Sequence, residues 1–304
     1  AMKPPLAHPP RFASLRHLAR DPRHFQIAVL SGLFAYGATA LDFEVTLGRA
    51  AVTLAVALGT QSLLSRRAEC RFDPRSALIS GLSLCLLLRT NSAPLAAAAA
   101  FVAIASKFFL RWNGKHVFNP TNFAIVLAIE TGLAWVSPGQ WGNAALLALA
   151  VACLGGLVVY RAARSDVTWA FLLSYSAILF GRATWLGQSA SIPLHQLGNG
   201  AFLIFAFFMI SDPRTTPDSR RGRILYAALV ALGACFVSFI LYRPNGLLLS
   251  LVLGSLLVPA IDYWLPGARH GWPAKEDSNA PSPSLPPFGL GDRLARVAAH
   301  PDAS

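Results

Sequence analysis

Three polar segments of this chain put amides, hydroxyls and carboxylates where chemistry could use them. They are Phe72-Asp73-Pro74-Arg75-Ser76, Lys115-His116-Val117-Phe118-Asn119-Pro120-Thr121-Asn122 and Ser211-Asp212-Pro213-Arg214-Thr215-Thr216-Pro217. Each sets an Asx-Pro step at the border of an apolar stretch. The plain role of such a step is capping, because Asn or Asp before Pro accepts from the free N–H groups of a helix start. Asn119-Pro120-Thr121-Asn122 offers more: two side-chain amides flank one helix start. Their paired donors and acceptors suit the edge of a uracil-like or isoalloxazine ring.

Ionisable groups inside apolar runs form a second set, since a charge there costs roughly 3 kcal/mol or more. Glu130 lies midway along Ile125–Trp135 and reads either as a cation or proton site or as a hydrogen-bonded packing residue. Asp42 and Glu44 lie at the mouth between the first two apolar runs, where Asp42 would join Glu130 in lining an ion path. Lys107 and Asp262 lie near the inner ends of their runs and read as interface anchors. Four cysteines (Cys70, Cys85, Cys153, Cys235) stand singly, without CxxC spacing, and read as small apolar fillers rather than a metal site or disulfide. No nucleophile–base pair, Walker motif or dinucleotide fingerprint is present.

The elements that must hold these groups are set by composition. Of 304 residues, 54% are hydrophobic and only 13% charged, with a mean hydropathy of +0.49. A soluble domain carries about 25% charged residues, so a soluble enzyme, a disordered chain and a disulfide scaffold are excluded. Ten apolar runs read as membrane-spanning helices: Gln26–Leu41, Thr46–Leu64, Ser76–Leu88, Ala93–Leu110, Thr121–Val136, Asn143–Tyr160, Val167–Leu186, Gln196–Ile210, Ile224–Leu241 and Gly246–Trp264. Several fall short of the ~20 residues a spanning helix needs and are expected to be tilted, broken or buried.

With alternating helices and a cytoplasmic N-terminus, 22 of the 26 Lys and Arg fall on the inner side, leaving Arg49, Arg89, Arg182 and Arg243 outside. That asymmetry places both termini in the cytoplasm. It also assigns the net charge of +12 to topology rather than to nucleic-acid binding. The expectation is an all-α integral membrane protein of the bacterial inner membrane. It has a basic segment 1–25, a membrane domain 26–264 with halves 26–136 and 143–264, and a disordered tail 265–304. No cleavable signal peptide is read at the N-terminus. His116 and His195 fall on opposite sides and cannot share one haem iron.

These residues resemble a known family. Ser76-Ala-Leu-Ile-Ser-Gly81-Leu-Ser-Leu, Lys107 through Lys115-His-Val-Phe-Asn-Pro120, and His195-Gln-Leu-Gly-Asn-Gly-Ala-Phe carry the likeness. So do Phe207-Phe-Met-Ile-Ser-Asp-Pro213-Arg-Thr-Thr-Pro217 and Val258-Pro-Ala-Ile-Asp262-Tyr. In that order they are similar to segments of RnfD, from the Rnf electron-transport complex, and of NqrB, from the sodium-pumping NADH:quinone reductase. The resemblance implies ten helices in two inverted five-helix halves, akin to urea transporters. The recurring Asp73-Pro-Arg/Asp212-Pro-Arg and Asn119-Pro/Arg243-Pro-Asn pairs hint weakly at such halves.

The resemblance further implies electron transfer across the membrane by a flavin esterified to threonine in a Ser-Gly-Ala-Thr-type motif, with a second, non-covalent flavin near the Asn-Pro segment. The covalent motif is missing from its usual place. The one Gly-Ala-Thr is Gly37-Ala38-Thr39, in the first run. The expected cofactor is therefore riboflavin or FMN, bound non-covalently by Asn119, Thr121 and Asn122 with Asp212, Thr215 and Thr216. The expected partners are other membrane redox subunits, the lipid bilayer, and a soluble reductase docked on an inner face of Arg66, Arg67, Arg71, Arg214, Arg220, Arg221 and Arg223. A channel or transporter for a small solute or flavin, and an accessory subunit without chemistry, are the alternatives.

Overall fold

The computed structural model describes residues 22–41, 45–137, 154–156 and 164–268. Helices start where short polar side chains can take up free N–H groups. After α1 (Pro22–Ala40), Thr46 caps α2 (Leu47–Arg67), and Asp73 caps α3 (Pro74–Leu87) with proline in the first position. Ser92 caps α4 (Ala93–Phe109), and Asn119 caps α5 (Pro120–Glu130). Beyond them lie α6 (Ser165–Trp185), α7 (Ser191–Leu197) and α8 (Gly200–Ile204), which Asn199 caps and which runs into a π-helical turn, Phe205–Met209. Ser219 caps α9 (Arg220–Phe239), followed by α10 (Gly246–Ser255) and α11 (Val258–Trp264).

The fold departs from the sequence reading in three ways. First, it is not wholly helical: β1 (Leu88–Thr90) pairs antiparallel with β4 (Ala134–Val136), and β2 (Arg111–Trp112) pairs with β3 (Lys115–His116). The β2–β3 loop is the dipeptide Asn113-Gly114, both residues at positive φ (48° and 79°), the geometry a two-residue hairpin demands. Second, the run Thr121–Val136 is no single helix. α5 stops at Glu130, Gly132 turns at positive φ, and the chain leaves as β4. Third, two expected spans are bent pairs. The break between Ser191–Leu197 and Gly200–Met209 is 54°, and between Gly246–Ser255 and Val258–Trp264 it is 50°. The first break falls where Gly198-Asn199 restarts the helix, the second just before Pro259, which donates no hydrogen bond to the preceding turn.

Among the described residues, α2 and α9 are long and apolar enough to cross a membrane by themselves, and each bent pair can form one more span. α3, α4 and α5 are shorter apolar helices. The expected span Asn143–Tyr160 lies outside the described residues apart from 154–156, as do Asp42, Glu44, residues 1–21 and the tail beyond 268.

In packing, α2 lies against α3 and α4, α1 against α3, and α4 against α5; α9 lies against α6 and α10; α5 meets α10. Small residues permit close approach: a Cβ on Gly254 would come within 2.8 Å of Val230 on the facing helix, where Ser250 Oγ also donates to Val230 O at 2.8 Å. A stack of Phe171, Tyr175, Phe202 and Phe205 rings, 5.3–5.9 Å apart, fills the contact between α6 and α8. Exposed aromatics mark both ends of the helices, with Trp112, Tyr263 and Trp264 at one and Trp135, Trp185 and Tyr242 at the other, as in membrane-interface belts.

Candidate functional site

The site is built where two non-helical segments meet at the Lys/Arg-rich end. The first enters from the β2–β3 hairpin through Lys115–Asn119. Its direction into α5 is fixed by a cap and a staple: Asn119 Oδ1 accepts from Asn122 N at 3.0 Å, and the Phe118 and Phe123 rings stack at 4.7 Å on either side of the cap. The second leaves the π-helical turn as Ile210–Asp218. Asn119 joins the two, its Nδ2 donating to Met209 O at 3.2 Å and lying 3.5 Å from Asp212 Oδ2. That carbonyl closes the π-helical turn, a distortion that recurs at functional sites. Thr168 Oγ1 takes up a second one, Ala206 O, at 3.1 Å.

All six residues expected to hold a ring gather here. Asn119, Thr121, Asn122, Thr215 and Thr216 are buried and Asp212 half-buried. Most of their polar atoms are engaged within the chain. Asn122 Nδ2 donates to Leu248 O at 2.9 Å, tying α5 to α10, and Thr215 Oγ1 donates to Asp212 O at 3.3 Å. Two atoms are not: Asn122 Oδ1 and Thr216 Oγ1 are buried without a hydrogen-bond partner among the described residues. A buried polar atom left unpaired costs about 1–3 kcal/mol, so these two are where a ligand would be satisfied.

Beside this junction lies a cleft of about 550 Å³ whose walls include Trp112, His116, Val258 and Tyr263 and whose lining includes Lys115, Asp218 and Asp262, within the size range of small-molecule sites. Lys115 Nζ donates to Asp262 Oδ2 at 2.7 Å, Thr216 O at 2.8 Å and Asp218 Oδ1 at 3.0 Å. Asp262 Oδ1 in turn accepts from Asp218 N at 2.8 Å. Asp262 is thus a structural ion-pair partner rather than a simple interface anchor, and Lys107 is buried rather than anchoring, donating to Ser76 O (2.9 Å) and Oγ (3.0 Å).

The electrostatics follow from burial. Burial, reinforced by Arg214, Arg111 and Lys107, pushes the His116 imidazole down to about 3, so it is neutral; its Nδ1 is buried and unpaired. Burial raises the Asp212 carboxyl, against the Arg214 amide hydrogen bond and nearby Lys107. Asp73 goes the other way. Burial alone would raise it, but the hydrogen bond from Arg75 and the charges of Arg23 and Arg75 hold it below its usual value.

Other expected residues lie elsewhere. Glu130, expected mid-run, closes α5 at the opposite end, exposed and 3.8 Å from exposed Arg243, because the helix stops there. Thr39 sits exposed in the last turn of α1 with its hydroxyl donating to Ala35 O. Arg223 leaves the expected basic face: it is largely buried and holds Asp166, with Nε 2.8 Å from Oδ2 and 3.0 Å from Oδ1. Arg66, Arg67, Arg71, Arg214, Arg220 and Arg221 remain exposed. The hairpin and the Lys115 triad went unrecognised in the sequence, although Asn113-Gly114 is the usual signal for a tight hairpin.

A model of the NQR2, RnfD, RnfE family matches residues 129–271. Over that stretch the chain is similar to this family. The match begins ten residues beyond Asn119, so it is narrower than the stretch carrying the sequence resemblance. Among curated proteins, the chain is 33% identical over 160 residues to the D-type subunit of an ion-translocating oxidoreductase complex from Cronobacter sakazakii, covering 50% of this chain and 42% of that protein. It is 34% identical over 140 residues to the corresponding protein of Klebsiella pneumoniae (45% and 37%), and 32% over 147 residues to that of Erwinia tasmaniensis (47% and 38%). The matched stretch thus spans about two fifths of each relative's length. Apolar helices and the likeness to this family together support a helical membrane protein.

Proposed function

We propose that the chain is a membrane-embedded subunit of a redox-driven complex and binds a flavin, riboflavin or FMN, non-covalently at the junction of Lys115–Asn122 with Met209–Asp218. The observation that carries this reading is the pair of buried, unpaired acceptor groups, Asn122 Oδ1 and Thr216 Oγ1, set beside a cleft large enough for a ring system. An amide oxygen accepts an imide N–H, and a hydroxyl can donate to a ring carbonyl. Asn119 caps the helix start that carries Asn122, Thr121 and Thr215 are the remaining hydroxyls of the proposed site, and Asp212 lies beside Asn119. A bound flavin would supply one- and two-electron transfer. The chain's own part is to orient the ring edge, exclude water and fix charge around it. The relatives' names, subunits of an ion-translocating oxidoreductase complex, support further membrane redox subunits as partners.

The same proposal places the Lys/Arg-rich end in the cytoplasm, by the positive-inside bias, with a soluble reductase docking on exposed Arg66, Arg67, Arg71, Arg214, Arg220 and Arg221. It also reads the membrane domain as ten spans in two inverted halves. In support, the pairs α2–α4 and α4–α5 have counterparts in α6–α9 and α9–α10. The Asn119 and Arg243-Pro-Asn245 connections precede α5 and α10, while Asp73 and Asp212 lie at one end and carry no inverted repeat. Glu130 remains the proposed lining of an ion path at the other end, together with Asp42, which lies outside the described residues.

An absorption spectrum of the protein purified in mild detergent, followed by acid precipitation, tests the reading. Flavin bands that pass to the supernatant support it. Bands retained in the pellet point to covalent attachment and to Thr39. A protein that stays colourless when offered riboflavin and FMN refutes it and favours transport.

A further inference from the structure

The cleft beside the junction has a lining of its own, which includes none of the six residues assigned to the ring. Trp112 comes from the hairpin, and Val258, Pro259 and Tyr263 from α11. The charged lining is Lys115, Asp218 and Asp262, with His116 neutral. An ammonium has three N–H groups, and those of Lys115 are spent on Asp262, Asp218 and the Thr216 carbonyl. The carboxylates keep capacity. Asp218 Oδ1 accepts from Lys115, while Oδ2 has no hydrogen bond among the described residues and is not closed off from solvent. This lining therefore carries one positive charge against two negative ones, and its charged groups offer acceptors without a free donor.

Three classes of ligand fit it poorly. An anion would add to the surplus negative charge. A neutral apolar ring would strip water from the carboxylates and return no hydrogen bond. A calcium-like ion takes about six or more oxygens, and here two carboxylates already share Lys115 in a space of about 550 Å³. A protonated primary amine on an apolar body meets each feature. Its N–H groups donate to the carboxylates, its charge balances the second of them, and the Trp112 and Tyr263 rings suit a cation and its apolar body.

We propose that this cleft binds a primary ammonium group borne on an apolar body. Trp112 and Tyr263 are exposed and belong to the aromatic belt of a membrane interface, so the amine comes from a lipid headgroup such as phosphatidylethanolamine or from a free amphiphilic amine. The inference stands apart from the flavin reading and needs no flavin.

The test is calorimetric titration of the full chain in phosphatidylcholine nanodiscs with hexylamine, hexyltrimethylammonium and hexanol, at one ionic strength and with empty nanodiscs as the blank. Hexylamine is expected to bind at least about tenfold more tightly than hexyltrimethylammonium, which keeps the charge without an N–H, and than hexanol, which has no charge. Asp218→Asn should lose that preference. Should it fail to fold, Ala260→Trp carries the comparison: Ala260 lines the cleft from an exposed position, so tryptophan should fill the space and abolish hexylamine binding while the melting temperature holds. Nanodiscs that also contain phosphatidylethanolamine separate the two sources. Hexylamine binding disappears there if the lipid is the occupant and is unchanged if a free amine is. Hexylamine that binds wild type no better than hexanol, or binds the folded variants as it binds wild type, overturns the proposal. Riboflavin titration of the same preparation reads the ring site separately, so either site can fail alone.

Discussion

The two ends of the helix bundle solve the same problem differently. At the Lys/Arg-rich end, cations meet carboxylates in largely buried groups: Lys115 with Asp218 and Asp262, Arg223 with Asp166, Arg23 and Arg75 with Asp73. All but Arg75–Asp73 join segments far apart in sequence. At the other end, arginines also reach backbone carbonyls and a ring. Arg89, 2% exposed, donates to the carbonyls of Cys85, Leu86 and Leu88, where α3 ends inside the protein. Arg49 donates to Thr90 O, and Arg182 lies 4.2 Å from the Phe239 ring centroid. The one ion pair described there, Arg243–Glu130, is 3.8 Å apart and more than half exposed on both sides. One end is a charge junction that fixes distant segments in place; the other closes helix ends.

The comparison predicts a ranking of costs. Lys115→Met leaves two largely buried carboxylates facing each other without their cation and should cost about 3–5 kcal/mol, read as a fall in melting temperature in detergent. Adding Asp218→Asn and Asp262→Asn should recover much of it. Arg89→Met strips donors from three buried carbonyls and should cost about 2–3 kcal/mol. A larger loss there than at Lys115 would invert the comparison.

Acid should strike the charge junction through His116. Its folded value of about 3 lies below the ordinary ~6.5, so below pH ~6.5 the unfolded chain binds the proton that the folded chain refuses. Stability then falls as pH drops, by about 2 kcal/mol at pH 5. His116→Gln should flatten that part of the melting profile, and an unchanged slope would remove His116 from the account. The smallest effect is at Glu130: Glu130→Gln should change stability by less than about 0.5 kcal/mol, whatever it does to ion movement.

The local parts of this site were legible in the sequence. Asn119 before Pro120, an amide at Asn122 and phenylalanines at 118 and 123 spell a capped, stapled helix start, and the three Asx-Pro segments do mark helix borders. Helix type and most borders were likewise legible, because apolar runs and caps are local signals. The breaks were not. Glu130 ends α5 because Thr131 and Gly132 turn the chain into β4, and hydropathy runs through that turn unbroken. The ion-pair triad was equally hidden, since Lys115 finds its partners 103 and 147 residues away. Nor does the sequence show that Arg223 is spent on Asp166, since exposed and buried arginines read alike.

The most direct test is riboflavin titration, followed by fluorescence quenching, on wild type and on Thr216→Val. Thr216 is fully buried and its hydroxyl bonds nothing among the described residues, so valine, its near-isostere, should leave the melting temperature equal or higher. The account predicts that wild type binds and that Thr216→Val binds at least tenfold more weakly. Equal binding by both proteins would contradict it.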